Sequence, residues 1–310
     1  MTGKMKDGFV NINGVSTYII TWGAWVEDKL DENVEDIILL VTGNPGLADY
    51  YIPFLTKLHA QLGMPIWAVS LAGHVKPPSN SQGLPNLHRS PQLYNLQGQV
   101  DSKIAFIEQY VPNNVNVILI GHSIGAKIVI DMLQNCYKIR SQVSKAYLLF
   151  PTIERMAESW NGKIMTRIVK HFVPLIIFFS WIFTLFPLFV KKLLVGLQFL
   201  VRRIPNYHVA PTLKLINPTV LENVFYLALD EMEKVRELDD KVIKELSEVL
   251  FLYYGTTDGW VPVDYWKSMT ENHPEVRSVL CKKKLDHAFV LRHSDEMANI
   301  LSDIINENKQ

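Results

Sequence analysis

Cysteine is nearly missing from this chain. Only Cys136 and Cys281 occur in 310 residues. They are far apart and lack the short spacings of metal ligands, which argues against a disulfide framework or a zinc site and fits a reducing compartment. Both thiols are expected to be buried. A surplus of either charge is also lacking: 31 basic residues face 31 acidic ones, with no long basic run, so the electrostatic footprint of a nucleic-acid binder is absent. The first residues, Met1-Thr-Gly-Lys-Met-Lys-Asp, contain no apolar signal core and no myristoylation site, and the last carry no prenylation box. Any membrane affinity is therefore expected to come from within the chain. No cofactor and no metal is expected.

What the chain has is apolar residues, 48% of the total, enough for one large α/β domain with an insertion or for two domains. The most informative stretch is Asn116-Val-Ile-Leu-Ile-Gly121-His122-Ser123-Ile124-Gly125-Ala-Lys127. An apolar run ends in a small-residue turn and continues as an amphipathic segment, which reads as strand, sharp turn and helix. Gly121-His122-Ser123-Ile124-Gly125 fits the nucleophile elbow, G-x-S-x-G. A serine there must take an unfavourable backbone conformation to project its hydroxyl. The residues two positions away must be small so that strand and helix can pass closely.

Around the elbow the pattern alternates. Residues 9–12 and 15–21 flank Asn13-Gly14, a type I′ turn pair, and read as a β-hairpin. Residues 37–41, five consecutive aliphatics, read as a buried strand. They lead into Thr42-Gly43-Asn44-Pro45-Gly46, where an enzyme with such an elbow places the other half of its oxyanion hole; a plain strand-to-helix turn is the simpler alternative. Helix at 50–61, strand at 65–71, helix at 93–110, the elbow, helix at 125–137 and strand at 145–150 follow. That alternation predicts parallel strands joined by helical crossovers. Ala72-Gly73-His74 opens a Pro/Ser/Asn-rich loop to Ser90, expected to cover part of a cleft. His74 precedes the serine and is assigned a loop-positioning role rather than that of a catalytic base.

From about residue 151 the alternation stops. Residues 172–190 contain no charge and are crowded with Phe, Ile, Leu and Trp. As one helix they would measure about 28 Å, close to a bilayer core of about 30 Å. A single crossing would nevertheless put the strands before and after it on opposite sides of the membrane, although they must join one sheet. Pro174 and Pro187 predict broken helices, and the apolar stretch 193–201 is too short for a second straight crossing. Arg167, Lys170, Lys191, Lys192, Arg202 and Arg203 flank these segments and can snorkel to headgroups on one leaflet. The expectation is a monotopic, hairpin-like insert bearing Phe172, Trp181, Phe186 and Phe189, with an apolar cap over the active site as the alternative. Asn217-Pro218 predicts a helix start with a helix reaching at least Glu237, and a charged helix to about Ser247. Strand, helix and strand then return at 249–254, 263–272 and 276–281, with Ser294 as the expected cap of a terminal helix to Ile305. The units are thus 1–150 and 248–310 as the core, and 151–247 as a helical cap carrying the segment 172–201.

A serine hydroxyl is a weak nucleophile until an imidazole accepts its proton, and that imidazole needs a carboxylate to orient it and stabilise its charged form. In α/β-hydrolases the three come in the chain order serine, acid, histidine. Ser123, Asp258 and His287 satisfy that order, each after a predicted strand. Asp264 falls within the next helix, Asp286 is adjacent to His287 and badly placed to orient it, and His293 is expected to face solvent. Backbone N–H groups of Asn44 and Ile124 are the expected oxyanion donors, and His122 is expected to pack. The fold class is therefore α/β, an α/β-hydrolase with a mostly parallel sheet flanked by helices and an apolar helical cap or membrane insert.

The chain also resembles the lipid droplet-associated hydrolase family, a serine-hydrolase-like branch of the α/β-hydrolases. The resemblance is carried over nearly the whole chain by Gly43-Asn44-Pro45-Gly46, Ala72-Gly73-His74, Leu119-Ile-Gly-His-Ser-Ile-Gly125, Leu148-Leu-Phe-Pro-Thr-Ile-Glu-Arg-Met156, Tyr253-Tyr-Gly-Thr and His287-Ala-Phe289. It implies an enzyme-like fold, targeting to lipid droplets and the cytosolic face of the endoplasmic reticulum through the central apolar segment, and action on lipid esters such as sterol esters or acylglycerols. Thr42 departs from the histidine that many hydrolases carry before the oxyanion glycine, and Gly259 and Val261 alter the surroundings of Asp258. Two functions follow as expectations. One is a serine esterase acting at a membrane surface; the other is a lipid-droplet coat or tether with a weakly active or retired core. Protein partners are not specified by the sequence.

Overall fold

Alternation along the apolar strands decides which side chains face which side of the sheet. In the computed structural model, which describes residues 4–308, eight strands form one sheet; the sequence reading of the chain ends at 1–3 and 309–310 lies outside the described residues. They are β1 (Lys6–Ile12), β2 (Val15–Trp22), β3 (Asp36–Val41), β4 (Ile66–Val69), β5 (Asn116–His122), β6 (Val143–Leu149), β7 (Leu250–Tyr254) and β8 (Arg277–Leu280), in the order β1-β2-β4-β3-β5-β6-β7-β8. β2 runs antiparallel to both β1 and β4, and every later pairing is parallel. The β1–β2 turn places Asn13 at φ 50° and Gly14 at φ 78°, the positive angles that a type I′ turn requires.

Ile37, Leu39 and Val41 of β3 and Val117 and Leu119 of β5 enter one core, while Ile38, Leu40, Ile118 and Ile120 enter the other. Two buried faces explain why these strands are almost continuously aliphatic. Helices α1 (Ile52–Leu62) and α12 (Ser294–Glu307) cover one face; α2 (Leu96–Tyr110), α3 (Ile124–Asn135), α10 (Asp240–Glu245) and α11 (Val263–Asn272) cover the other. A short helix, α4 (Tyr137–Gln142), follows α3. Ser294 is the first residue of α12 rather than its cap, because its Oγ donates back to the Val290 carbonyl at 2.9 Å.

Between β6 and β7 lies the expected insertion. α5 (Trp160–Ile164), a π-helical turn (Met165–Val169) and α6 (Lys170–Leu185) run on as one 26-residue helix, Trp160–Leu185. Among the described residues it is the one helix long and apolar enough to cross a membrane by length and composition. Pro174 does not break it, contrary to the sequence expectation. A proline crowds the carbonyl four residues earlier; here that is Lys170, next to the π-helical turn, where the backbone is already irregular. Pro187 does end the run, and α7 (Leu188–Arg202) starts afresh. α8 (Val209–Leu215) and α9 (Pro218–Lys234) return to the core, with α6 packed on α9 and α7 on α8. The Asn217 side chain caps α9 by accepting from Thr219 and Val220 N–H. The helix stops at Lys234, short of Glu237, where Val235 and Arg236 accept hydrogen bonds from the Met156 and Arg155 N–H groups and close the neck of the insertion.

Leu119 is fully buried in a central strand. Leu119→Ala is expected to lower stability by about 2–5 kcal/mol, read as a lower denaturant midpoint at unchanged slope; a midpoint equal to wild type would contradict this packing.

Candidate active site

Parallel register brings the carboxyl ends of β3, β5, β6, β7 and β8 to one edge of the sheet, and each chemical group hangs there. Ser123 follows β5 with φ 54° and ψ −124°, a conformation that costs an L-residue about 1–3 kcal/mol. Its N–H donates to the Leu149 carbonyl at 3.0 Å, anchoring the turn to β6. Both elbow glycines are sterically required. A Cβ on Gly125 would lie 2.3 Å from the Val41 carbonyl oxygen, and one on Gly121 would lie 2.8 Å from the Ala126 Cα.

The structure brings Ser123, His287 and Asp258 together. His287 Nδ1 lies 2.6 Å from Asp258 Oδ2, and His287 Nε2 lies 2.8 Å from Ser123 Oγ. With Nδ1–H donated to the carboxylate, Nε2 is left to accept the hydroxyl proton. The Asp258 side chain is fully buried, and its Oδ1 accepts from the Trp260 and Val261 N–H groups at 2.7 and 3.1 Å. Gly259 has its own reason: a Cβ there would lie 2.7 Å from Asn161 Nδ2 of α5, whose backbone N–H donates to the Gly259 carbonyl. The rivals lie elsewhere. Asp264 pairs with Lys267, Asp286 pairs with Arg292, and His293 leans toward Asp286.

Accounting for the donors of the turn at 43–46 identifies the free one. Gly43 N–H donates to Tyr51 Oη at 2.9 Å, Gly46 N–H donates to His74 Nδ1 at 3.0 Å, and Pro45 has no N–H. Among the described residues no acceptor takes the Asn44 N–H. Ile124 opens α3, where the first N–H groups of a helix have no intrahelical acceptor. The two N–H groups expected from sequence are thus both available. A Cβ on Gly43 would lie 2.9 Å from Ser123 Cβ, so the turn presses directly on the elbow.

His122 does more than pack. Its Nδ1 lies 2.6 Å from Tyr51 Oη and its Nε2 lies 2.9 Å from the His287 carbonyl oxygen. Burial, with the nearby His287 adding to it, pushes the His122 pKa down to about 3, and burial pushes the Tyr51 hydroxyl well up. Both groups are therefore neutral: Tyr51 donates to Nδ1, and Nε2–H donates to the carbonyl. One buried chain of hydrogen bonds links the turn at 43, the elbow and the His287 loop. Tyr51 gave no signal in sequence because a tyrosine at the start of an amphipathic helix looks like any other core aromatic. His74 is buried, and burial holds its pKa down at about 3, so it is a neutral acceptor for Gly46.

A cavity of about 480 Å³ opens on Ser123 and His287. Phe199 and Arg202 of α7, Val224, Ala228 and Glu231 of α9, and Tyr50 near α1 help line it. The insertion therefore supplies much of the wall. Phe172, Trp181, Phe186 and Phe189 point away from the core, with 53%, 53%, 44% and 71% of their surface exposed.

The family described as lipid-droplet associated hydrolase matches residues 34–290. A protein of Drosophila melanogaster named lipid droplet-associated hydrolase is 43% identical over 310 residues, covering 99% of this chain and 100% of that relative. A protein of Rattus norvegicus with the same name is 36% identical over 323 residues, covering 99% and 98%. Among solved structures, a membrane phospholipase A superposes with a TM-score of 0.64 at 12% identity, covering 99% of this chain and 87% of the other. At that identity the likeness concerns the fold, which is the α/β-hydrolase fold.

Glu231 carries a pH signature. Burial lifts its carboxyl from 4.5 to about 8. Between those values the unfolded chain has released the proton that the folded chain keeps, so stability falls as the pH rises from about 5 to 8. Glu231→Gln removes that component, roughly 1 kcal/mol per pH unit at its steepest. Denaturation of both proteins across this range checks it; identical pH slopes would contradict the burial.

Proposed function

This chain belongs to the lipid-droplet associated hydrolase family, and we propose that it is a serine hydrolase that cleaves lipid esters, sterol esters or acylglycerols, through an acyl-enzyme on Ser123. The observation that carries the reading is the continuous hydrogen-bonded line Ser123–His287–Asp258. Ser123 Oγ bonds to the ester carbonyl carbon as His287 Nε2 takes its proton. Asp258 stabilises the imidazolium, and the Asn44 and Ile124 N–H groups receive the oxyanion. Collapse breaks the carbon–oxygen bond, and His287 returns its proton to the departing alcohol. A water molecule, deprotonated by the same imidazole, then releases the acid and restores Ser123.

The reading extends to location: the lipid droplet surface and the cytosolic face of the endoplasmic reticulum, held by a monotopic insert centred on residues 172–201. Its support is the exposed apolar surface of α6 and α7, the cations Lys170 at the start of α6, Lys191 and Lys192 near the start of α7 and Arg202 at its end, and the names of the relatives. An apolar cavity walled by α7 suits an acyl chain or a sterol arriving from that surface. The same exposed surface favours a second reading, a droplet coat or tether whose core has little activity.

Labelling with a fluorophosphonate separates the two readings. Wild type is expected to label at Ser123, and Ser123→Ala to lose both the label and ester turnover, the latter on the order of 10⁶-fold. Absence of labelling in wild type, with Ser123→Ala still supporting normal droplets, would support the coat instead. Deleting 172–201 is expected to release the protein into the soluble fraction; continued droplet binding would refute the anchor.

A further inference from the structure

The backbone donors of the turn at 43–46 are held from the hydrolase core. Tyr51 and His74 hold its backbone donors, whereas the Asn44 side chain is held by the insertion: Asn44 Nδ2 donates to Glu231 Oε1 and to the Val224 carbonyl, each at 3.1 Å. Both acceptors belong to α9. That helix also grips the neighbouring turn, since Asn223 Nδ2 donates to the Gly73 carbonyl at 2.9 Å. α9 also packs against α6, the helix with the exposed apolar surface.

Glu231 is an unusual residue for this place. It is 1% exposed and flanked by Leu227, Ala228 and Met232, and no ion pair with a cation accompanies it among the described residues. A buried carboxyl without a cation lowers stability where an apolar side chain of similar size would raise it. Its position is accounted for by what it touches, the side chain of the residue whose N–H stands free beside Ser123. Burial pushes its pKa to about 8, so near neutral pH it is mostly a neutral acceptor that glutamine can imitate.

We propose that Glu231 is a positioning residue for the oxyanion turn: borne on the cap, it holds Asn44 so that the Asn44 backbone N–H faces the reacting carbonyl, and thereby makes the catalytic machinery depend on how the lipid-facing insertion is seated. The proposal rests on the serine-hydrolase reading and adds to it a contact through which a lipid surface acts on the chemistry. Glu231 touches no reacting atom and works through Asn44.

The test uses the full chain and p-nitrophenyl butyrate, a short soluble ester that needs no lipid surface to reach the site. Glu231→Ala is expected to lower kcat on the order of 10²-fold, as a misplacement of about 1 Å does, with KM near that of wild type. Glu231→Gln restores kcat. Asn44→Ala, which keeps the backbone N–H, shows the same loss, and adding Glu231→Ala to it costs nothing more, because the two act as one unit. Hydrogen exchange over residues 42–48 is read on the same proteins and is expected to quicken in Glu231→Ala and return in Glu231→Gln. An unchanged kcat in Glu231→Ala, or losses that multiply in the double variant, overturns the proposal. If wild type neither hydrolyses the ester nor labels with a fluorophosphonate, the hydrolase reading falls, and the exchange result alone decides: unchanged exchange overturns the role of Glu231, and quickening reversed by glutamine upholds it.

Discussion

The strained backbone of Ser123 is the constraint on which the site depends. A left-handed φ at a serine is tolerated because its surroundings permit no other path: β5 and α3 meet through Gly121 and Gly125, and the Ser123 N–H is taken by Leu149 of the adjacent strand. The central sheet supplies the rigidity. Strands buried on both faces by two aliphatic cores hold the elbow, and the parallel register carries Gly43, Ser123, Asp258 and His287 to the same edge. The small hydroxyl-to-imidazole distance of 2.8 Å is then a property of the whole sheet rather than of a flexible loop.

Hydrogen bonds of neutral groups finish what the sheet begins. The Gly43–Tyr51–His122–His287 chain fixes three loops to one another without a buried charge. Desolvation keeps His122 and His74 neutral, so each can accept where a cation could only donate. Such networks are costly when half satisfied and rigid when complete. The free donors, the Asn44 and Ile124 N–H groups, stand out because the neighbouring donors of the 43–46 turn are occupied.

Much of this was legible in the sequence, and what was not has physical reasons. The glycines of the elbow, the aliphatic runs and the order of Ser123, Asp258 and His287 are local signals, and the sheet assembles them as expected. Asn217-Pro218 starts a helix for the reason read from it. Ser294 misled because a serine before an amphipathic run caps only if its hydroxyl points forward, and here it points back to Val290. Pro174 misled because the adjoining π-helical turn already interrupts regular hydrogen bonding. Tyr51 and Glu231 were invisible: one resembles core aromatics, the other resembles the solvent face of an amphipathic helix, and only tertiary packing sets the turn at 43–46 against both.

On the proposed reading the insertion joins location to chemistry, since α7 and α9 wall the cavity while α6 and α7 expose apolar surface. The claim at the centre is that a lipid ester acylates Ser123. Incubating the protein with a fatty acyl ester in a phospholipid-coated emulsion, quenching with acid and mapping adducts by mass spectrometry tests it directly. An acyl mass on the peptide bearing Ser123 is expected. Ester turnover with no acyl group on Ser123, or with the adduct on another residue, would contradict it.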